Sequence, residues 1–301
     1  MITMPEPPPH SSDLEHAAQV FLLVRPRLFG ITYRMLGTAA EAEDLVQEVW
    51  LRWQTTDRSV VIDPPAFLAT TAVRLSINSL TSARRRRETY IGPWLPEPID
   101  ICADPSLGAE RNQALSLAVL LLLEKLTPTE RAAYVLREAF DYAYSRIAEI
   151  LELTESNVRQ LVSRARKHIA DSRRTPSTKT EQQRLLTAFI TAAQQGDVAA
   201  LESLFASDII SITDGGGVIG AARIPVIGRE RVAKFVSSST GHFWEGVSLT
   251  WLEANGDPSV LITRDGASIA LAFIEATDEG IGQILWVMSP AKLANITESA
   301  K

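Results

Sequence analysis

The side chains best suited to chemistry in this chain are those that can grip a polyanion. Residues 144–168 hold two helical patterns separated by a short break. Ile147, Ala148 and Leu151 supply one apolar face, and small Ala148 lets a following helix cross closely. Leu153 fills the turn, and Thr154 caps a second helix whose inner stripe is Val158, Leu161, Val162, Ala165 and Ile169. The opposite face carries Ser156, Asn157, Arg159, Gln160, Ser163, Arg164 and Lys167, residue types that hydrogen-bond base edges and phosphates from a major groove. A basic helix face is more often merely solvated. Here the cap, the small residue and the polar outward face occur together, and that combination favours DNA reading. Glu152 stands in the turn where glycine would relax the backbone most easily.

A second cationic cluster lies upstream. Arg84, Arg85, Arg86 and Arg87 follow a helical stretch presenting Thr71, Arg74, Asn78 and Ser82, and residues 71–87 hold five arginines and no acid. Four consecutive arginines cannot all pair internally, so phosphate is their natural partner. Residues 41–53 carry the opposite charge. Leu45, Val49 and Trp53 face inward there, while Asp44, Gln47, Glu48 and Trp50 share an outward surface suited to a protein partner. The same spacing is met equally well by a buried Trp50 among solvating acids.

The elements that must position these groups follow from composition and punctuation. The chain has 301 residues, 30 basic and 36 acidic side chains and a formal charge of −6, values of an ordinary soluble globular protein of two or three domains. Residues 1–174 carry 21 basic and 22 acidic side chains, residues 175–301 nine and 14, so the acidity is concentrated at the C-terminal end. One cysteine, Cys102, excludes an intramolecular disulfide and an all-cysteine zinc site within one chain. The longest apolar run, residues 117–123, is too short for a membrane span of about 20 residues. It reads as a buried helix, and the compartment expected is the cytoplasm.

The boundaries expected are a disordered Pro-rich leader (1–13), a helical domain (14–88), a Pro-rich connector (89–108), a second helical domain (109–172), a polar linker (173–180) and a third domain (181–301). In the connector, Trp94-Leu95-Pro96-Glu97-Pro98 is stiff and carries apolar side chains that must dock on something. Thr127, Pro128 and Glu130 form a helix start. The third domain opens with one or two helices over about 181–206. Short β-like runs at 209–213, 247–252, 259–263, 267–275 and 282–288 follow, with turns at Asn255-Gly256 and Asp265-Gly266, which reads as α+β. Its titratable candidates are Asp214, His242, Glu245 and Asp265. Asp214 precedes Gly215, Gly216 and Gly217, and an Asp on a glycine turn is far more often a turn-stabilising residue than a base.

With these residues in view, the chain resembles the extracytoplasmic-function group of bacterial RNA polymerase sigma factors. Residues 44–50 resemble the sigma domain two helix that binds the clamp helices of the polymerase. Residues 71–87 resemble the part of that domain that opens and reads the promoter −10 element, with Asn78 where Asp is usual. Residues 126–170 resemble sigma domain four, which reads the −35 element. Residues 94–99, Asp214-Gly215-Gly216-Gly217 and Ser289-Pro290-Ala291-Lys292-Leu293 resemble motifs of the subgroup with a C-terminal SnoaL-like domain, Ser289-Pro290-Ala291 replacing the usual Asn-Pro-Asp. The resemblance implies two all-α sigma domains, the second with a helix-turn-helix, followed by an α+β cone of the SnoaL/NTF2-like type.

Further implications concern partners and control. Core RNA polymerase would dock on Asp44, Gln47, Glu48 and Trp50. Promoter DNA would meet Arg74, Asn78, Ser82, Arg84, Arg85, Arg86 and Arg87 at −10, and Ser156, Asn157, Arg159, Gln160, Ser163, Arg164 and Lys167 at −35. Trp94, Leu95, Pro96, Glu97, Asp214, Gly215, Gly216, Gly217, Pro290, Lys292 and Leu293 would form an interdomain regulatory contact. No catalytic residue, metal or cofactor is expected, and a small ligand could fill the C-terminal pocket. Two other readings stand beside this one: a ligand-sensing helix-turn-helix regulator acting without polymerase, and an isomerase or cyclase with a DNA-binding passenger. The acidic helix at 44–53 favours the polymerase partner, since an operator binder needs no such surface.

Overall fold

The computed structural model describes residues 11–100, 116–172, 177–218, 221–238 and 240–299; side chains at 11, 12, 82–86, 88, 171, 172, 240, 295 and 297–299 lie outside the description. Three helices open the chain: α1 (Ser11–Leu36), α2 (Ala39–Thr55) and α3 (Pro64–Glu88). Asp63 caps α3 by accepting from the Ala66 N–H, with prolines in the first turn where no N–H is needed. Four more follow: α4 (Leu117–Leu123), α5 (Pro128–Glu138), α6 (Tyr144–Leu151) and α7 (Glu155–Ser172). Thr127 and Glu130 make the reciprocal capping box that their spacing predicts. Between α6 and α7 the backbone turns through Glu152 at φ 55°, a left-handed conformation that costs a residue with a Cβ about 1–2 kcal/mol.

The two helical blocks do not keep separate cores. Leu28, Ile31 and Leu36 of α1 and Val46 and Val49 of α2 share one buried cluster with Leu136, Phe140, Ile147 and Val162. The first and second helical blocks are therefore packed against each other.

The third domain begins with α8 (Lys179–Gln195) and α9 (Val198–Leu204). A six-stranded sheet follows, built from β1 (Phe205–Asp214), β2 (Val226–Ile227), β3 (Val247–Ala254), β4 (Asp257–Arg264), β5 (Ala267–Thr277) and β6 (Gly280–Val287). Its order is β2-β1-β6-β5-β4-β3, with β1 parallel to β6 and the other pairs antiparallel. Helices α10 (Arg229–Ser238), α11 (Thr240–Phe243) and α12 (Pro290–Ser299) complete it. The hairpin turns use Asn255 and Gly256 at φ 54° and 80°, and Asp265 and Gly266 at 52° and 78°, the positive values that two-residue hairpin loops require.

One sheet face closes over Phe189, Phe205, Val232 and Trp286. On the other, Leu261, Leu271, Phe273, Leu285 and Val287 are covered by Leu95 of the connector, Leu117 of α4 and Leu293 and Ile296 of α12. The C-terminal domain is thus built around a segment of the helical half.

Several expectations are corrected here. Residues 11–13 of the expected disordered leader belong to α1, and residues 1–10 lie outside the description, as do connector residues 101–108 and linker residues 173–176. Helix α8 starts two residues before the expected boundary, because Thr178 caps it by accepting from the Glu181 N–H. Strand β2 and helices α10, α11 and α12 add to the expected elements of this domain; a two-residue strand is too short to carry a period.

Candidate functional site

On α7, Ser156, Asn157, Arg159, Gln160, Ser163, Arg164 and Lys167 are all exposed, while Val158, Val162, Ala165 and Ile169 are buried against α5 and α6. Thr154 accepts a 3.3 Å bond from the Asn157 N–H and starts the helix. Arg159 pairs with Glu155 and lies 4.3 Å over the Tyr144 ring, and Arg164 is 3.4 Å from Glu130. Exposed pairs of this kind are worth at most about 1 kcal/mol, so DNA phosphates compete with them easily.

On α2, Asp44 and Gln47 are exposed, and Glu48 is held by Arg52 at 2.8 Å. Trp50 departs from the outward-facing expectation. It is half-buried, its ring 5.0 Å from that of Phe21. Loop 56–63 between α2 and α3 lines an open pocket of about 620 Å³ beside Trp53 and Val20, and Ile62 on it is fully exposed. Sequence reasoning passed over this pocket; Val60-Val61-Ile62 in a loop was the available signal.

Helix α3 carries the expected −10 residues, with Asn78 exposed. The side chains of Ser82, Arg84, Arg85 and Arg86 lie outside the description. Arg74 crosses to the helix-turn-helix, 2.8 Å from the Glu152 carboxylate and 3.3 Å from the Ile150 carbonyl. Arg87 turns inward instead of toward solvent. It pairs with Glu124, donates to the Leu36 carbonyl and sits 3.7 Å over the Trp94 ring. Glu124 also takes Arg131 at 2.6 Å, and Arg131, 2% exposed, donates further to the Met35 and Leu123 carbonyls. Neither Glu124 nor Arg131 stood out in the sequence, because a paired buried arginine has no local pattern.

Of the expected interdomain residues, Trp94, Leu95, Asp214, Gly216 and Lys292 lie together. Asp214, fully buried at the end of β1, accepts from the Tyr90 hydroxyl at 2.5 Å, the Leu95 N–H at 2.8 Å and the Lys292 ammonium at 2.6 Å. Lys292 also donates to the Leu95 carbonyl and lies 4.4 Å from the Trp94 ring centre, so that indole packs against two cations. Gly216 has φ 55°, and a Cβ there would stand 2.9 Å from Ser289 Oγ and 3.0 Å from the Tyr90 hydroxyl. Glycine is what lets this loop press against connector and tail together. Pro290 starts α12, and Leu293 is buried on the sheet. Pro96 and Glu97 are buried against the first helical block, where Glu97 donates its N–H to the Gly37 carbonyl at 2.8 Å.

The electrostatics follow from burial. Desolvation pushes the Lys292 ammonium below its ordinary pKa, with Asp214 pulling the other way. Burial and the bond to Asp214 raise the Tyr90 phenol, and burial, helped by the Glu97 charge, drives Tyr33 up. A raised native pKa stabilises the fold fully below the ordinary value of 10.0, and that contribution is lost as pH climbs toward the native value. Ultraviolet titration of the five tyrosines should therefore leave two protonated above pH 10 until the chain unfolds. A single step of all five near 10 would contradict this burial.

A cavity of about 60 Å³ in the cone is walled by Phe235, Phe243, Trp244, Trp286 and Met288, with Thr213 at its polar edge. Thr213 and Met288 are the chain neighbours of Asp214 and Ser289. His242, Glu245 and Asp265 are exposed away from that wall. No group of His, Cys, Asp or Glu among the described residues could hold a metal, and no described helix is long and apolar enough to cross a membrane.

Comparison with known proteins agrees with this arrangement. Residues 20–86 match Sigma-70 region 2, and residues 116–169 match Sigma-70, region 4. The chain is 34% identical over 232 residues to the ECF RNA polymerase sigma factor SigJ of Mycobacterium tuberculosis, covering 75% of this chain and 74% of that one. It is 31% identical over 261 residues to the probable ECF RNA polymerase sigma factor SigI of the same species, covering 84% and 87%. The crystal structure of M. tuberculosis SigJ superposes with a TM-score of 0.73 at 28% identity, over 92% of this chain and 98% of that one, and fits a SnoaL-like cone after the helical domains. With sigma regions two and four in order, a helix-turn-helix in the second and a full-length likeness to such relatives, the chain belongs to the extracytoplasmic-function sigma factors of RNA polymerase, which direct transcription initiation.

Proposed function

We propose that this sigma factor acts in the cytoplasm under the control of its own C-terminal domain, which grips the connector between the two promoter-reading domains. The observation that carries the reading is Asp214, whose one carboxylate bonds Tyr90 and Leu95 of the connector region and Lys292 of the tail. While that grip holds, the two readers stay packed on their shared buried cluster, with Arg74 of the −10 helix on Glu152 of the helix-turn-helix. Core polymerase docks on Asp44, Gln47 and Glu48, with Trp50 supporting them from beneath. Asn78 and the arginines 84–86 meet the −10 element, while Arg87 is released only when the connector leaves. The aromatic cavity takes a small uncharged ligand, and its contact with Thr213 and Met288 passes occupancy to the Asp214 grip.

Promoter reading by α7 is tested by substitution. Arg159→Ala and Arg164→Ala should each weaken binding of holoenzyme to its preferred −35 sequence by about 1–3 kcal/mol and relax discrimination there. Lys167→Ala should weaken all sequences alike and reduce the salt slope by about one. Equal loss on every sequence for all three variants would mean that α7 reads no bases. Titration against promoter fragments at several salt concentrations separates the outcomes.

A further inference from the structure

The polymerase-facing helix α2 lacks a cap of its own. Thr38 occupies the N-cap position in an extended conformation, yet its hydroxyl makes no capping bond. The Ala39 N–H is met instead by the Glu97 carboxylate at 2.8 Å, from a connector residue 58 positions away. A carboxylate there satisfies an orphan donor and complements the positive end of the helix.

Glu97 is itself held from the C-terminal domain. The Tyr33 hydroxyl donates to the Glu97 carbonyl at 2.6 Å and accepts from Asn255 Nδ2 at 2.7 Å. Asn255 Oδ1 accepts from the Ile99 N–H at 3.0 Å, and its own N–H donates to the Ile99 carbonyl at 2.9 Å. Tyr33 and Asn255 are 0% exposed and Glu97 3%, so water cannot replace these bonds. The chemistry at the turn is selective. Residue 255 must sit at positive φ, donate to a tyrosine hydroxyl already committed as a donor, and accept from a backbone N–H. Asparagine offers donor and acceptor and tolerates that conformation.

We propose that Asn255, at the tip of the β3–β4 hairpin, is a positioning residue for α2: through Tyr33 it fixes the Glu97 main chain so that the Glu97 carboxylate caps the polymerase-docking helix. The C-terminal domain thereby completes the docking surface as well as gripping the connector. The docking half of this statement rests on α2 being the polymerase-binding helix; the capping half does not.

Hydrogen exchange on the full chain tests the cap. Asn255→Gly keeps the turn conformation and removes the side chain, while Tyr33→Phe removes only the relay hydroxyl. Each should speed exchange of the amides at 39–42 about fivefold, the factor expected for loss of a typical cap. Amides at 45–55 and at Leu95 should keep their wild-type rates, and Glu97→Gln, which retains an acceptor, should stay close to wild type. Affinity for core polymerase should fall several-fold in Asn255→Gly and Tyr33→Phe but not in Glu97→Gln. Unchanged exchange at 39–42 in both variants overturns the proposal, and so does a uniform rise across α1, α2 and α3. Faster exchange with unchanged polymerase affinity would leave the cap standing and overturn its role in docking.

Discussion

Replacing Asp214 by alanine is expected to destabilise the closed arrangement by about 3–5 kcal/mol, the cost of breaking a buried, hydrogen-bonded ion pair from one side. Three donors lose their acceptor at once, and the Lys292 ammonium, in a side chain 10% exposed, is left without its carboxylate. Asp214→Asn keeps the shape and an acceptor, so its loss should be smaller. Lys292→Met removes the charge while preserving the apolar stem, and in the Asp214→Ala background it should recover part of the stability, because the uncompensated charge is then gone. Chemical denaturation of the four chains measures these terms. An Asp214→Ala midpoint equal to wild type would mean that Asp214 holds nothing.

The second large effect is expected at Glu124. This carboxylate follows the C-terminal end of α4, where a negative charge is unfavourable unless paired. It joins Arg87 from the end of α3 to Arg131 from α5, with all three side chains 16% exposed or less. Glu124→Ala leaves two arginines without their carboxylate at the junction of domains two and four, again costing about 3–5 kcal/mol. Glu124→Gln should cost less, since its carbonyl still accepts. The distinguishing readout is the Trp94 environment. Arg87 stacks on that indole, so the Glu124→Ala chain should shift Trp94 fluorescence even below its unfolding transition. Unchanged fluorescence and stability would remove Glu124 from the interdomain junction.

What the chain reveals before folding is mostly local chemistry. The capping box at Thr127 and Glu130, the Thr154 start and the Asn255-Gly256 turn are governed by residues within a few positions of one another, and each takes the form its side chains dictate. The helix-turn-helix face was legible for the same reason. Asp214, Leu95 and Lys292 could be singled out by resemblance and by the awkwardness of an apolar, proline-rich connector, although their bonds span 78 to 197 residues. The Tyr33–Asn255 bond spans 222 residues and the Arg87–Glu124 pair 37, with no periodicity to announce either. Arg87 shows the limit most clearly. In sequence it is the last of four equivalent arginines, and only the fold brings Glu124 and Trp94 to it. Trp50 is the converse: two helical faces were open to it, and Phe21 decides between them.

This chain directs promoter-specific initiation, and we propose that its own C-terminal grip limits it. Run-off transcription tests both together, using core RNA polymerase, a template library randomised at −35 and −10, and either the wild-type or the Asp214→Ala chain. Both chains should support initiation from the same subset of templates, with output from Asp214→Ala several-fold higher because its two readers separate more readily. Templates used without preference, or equal output from the two chains at equal concentration, would contradict it.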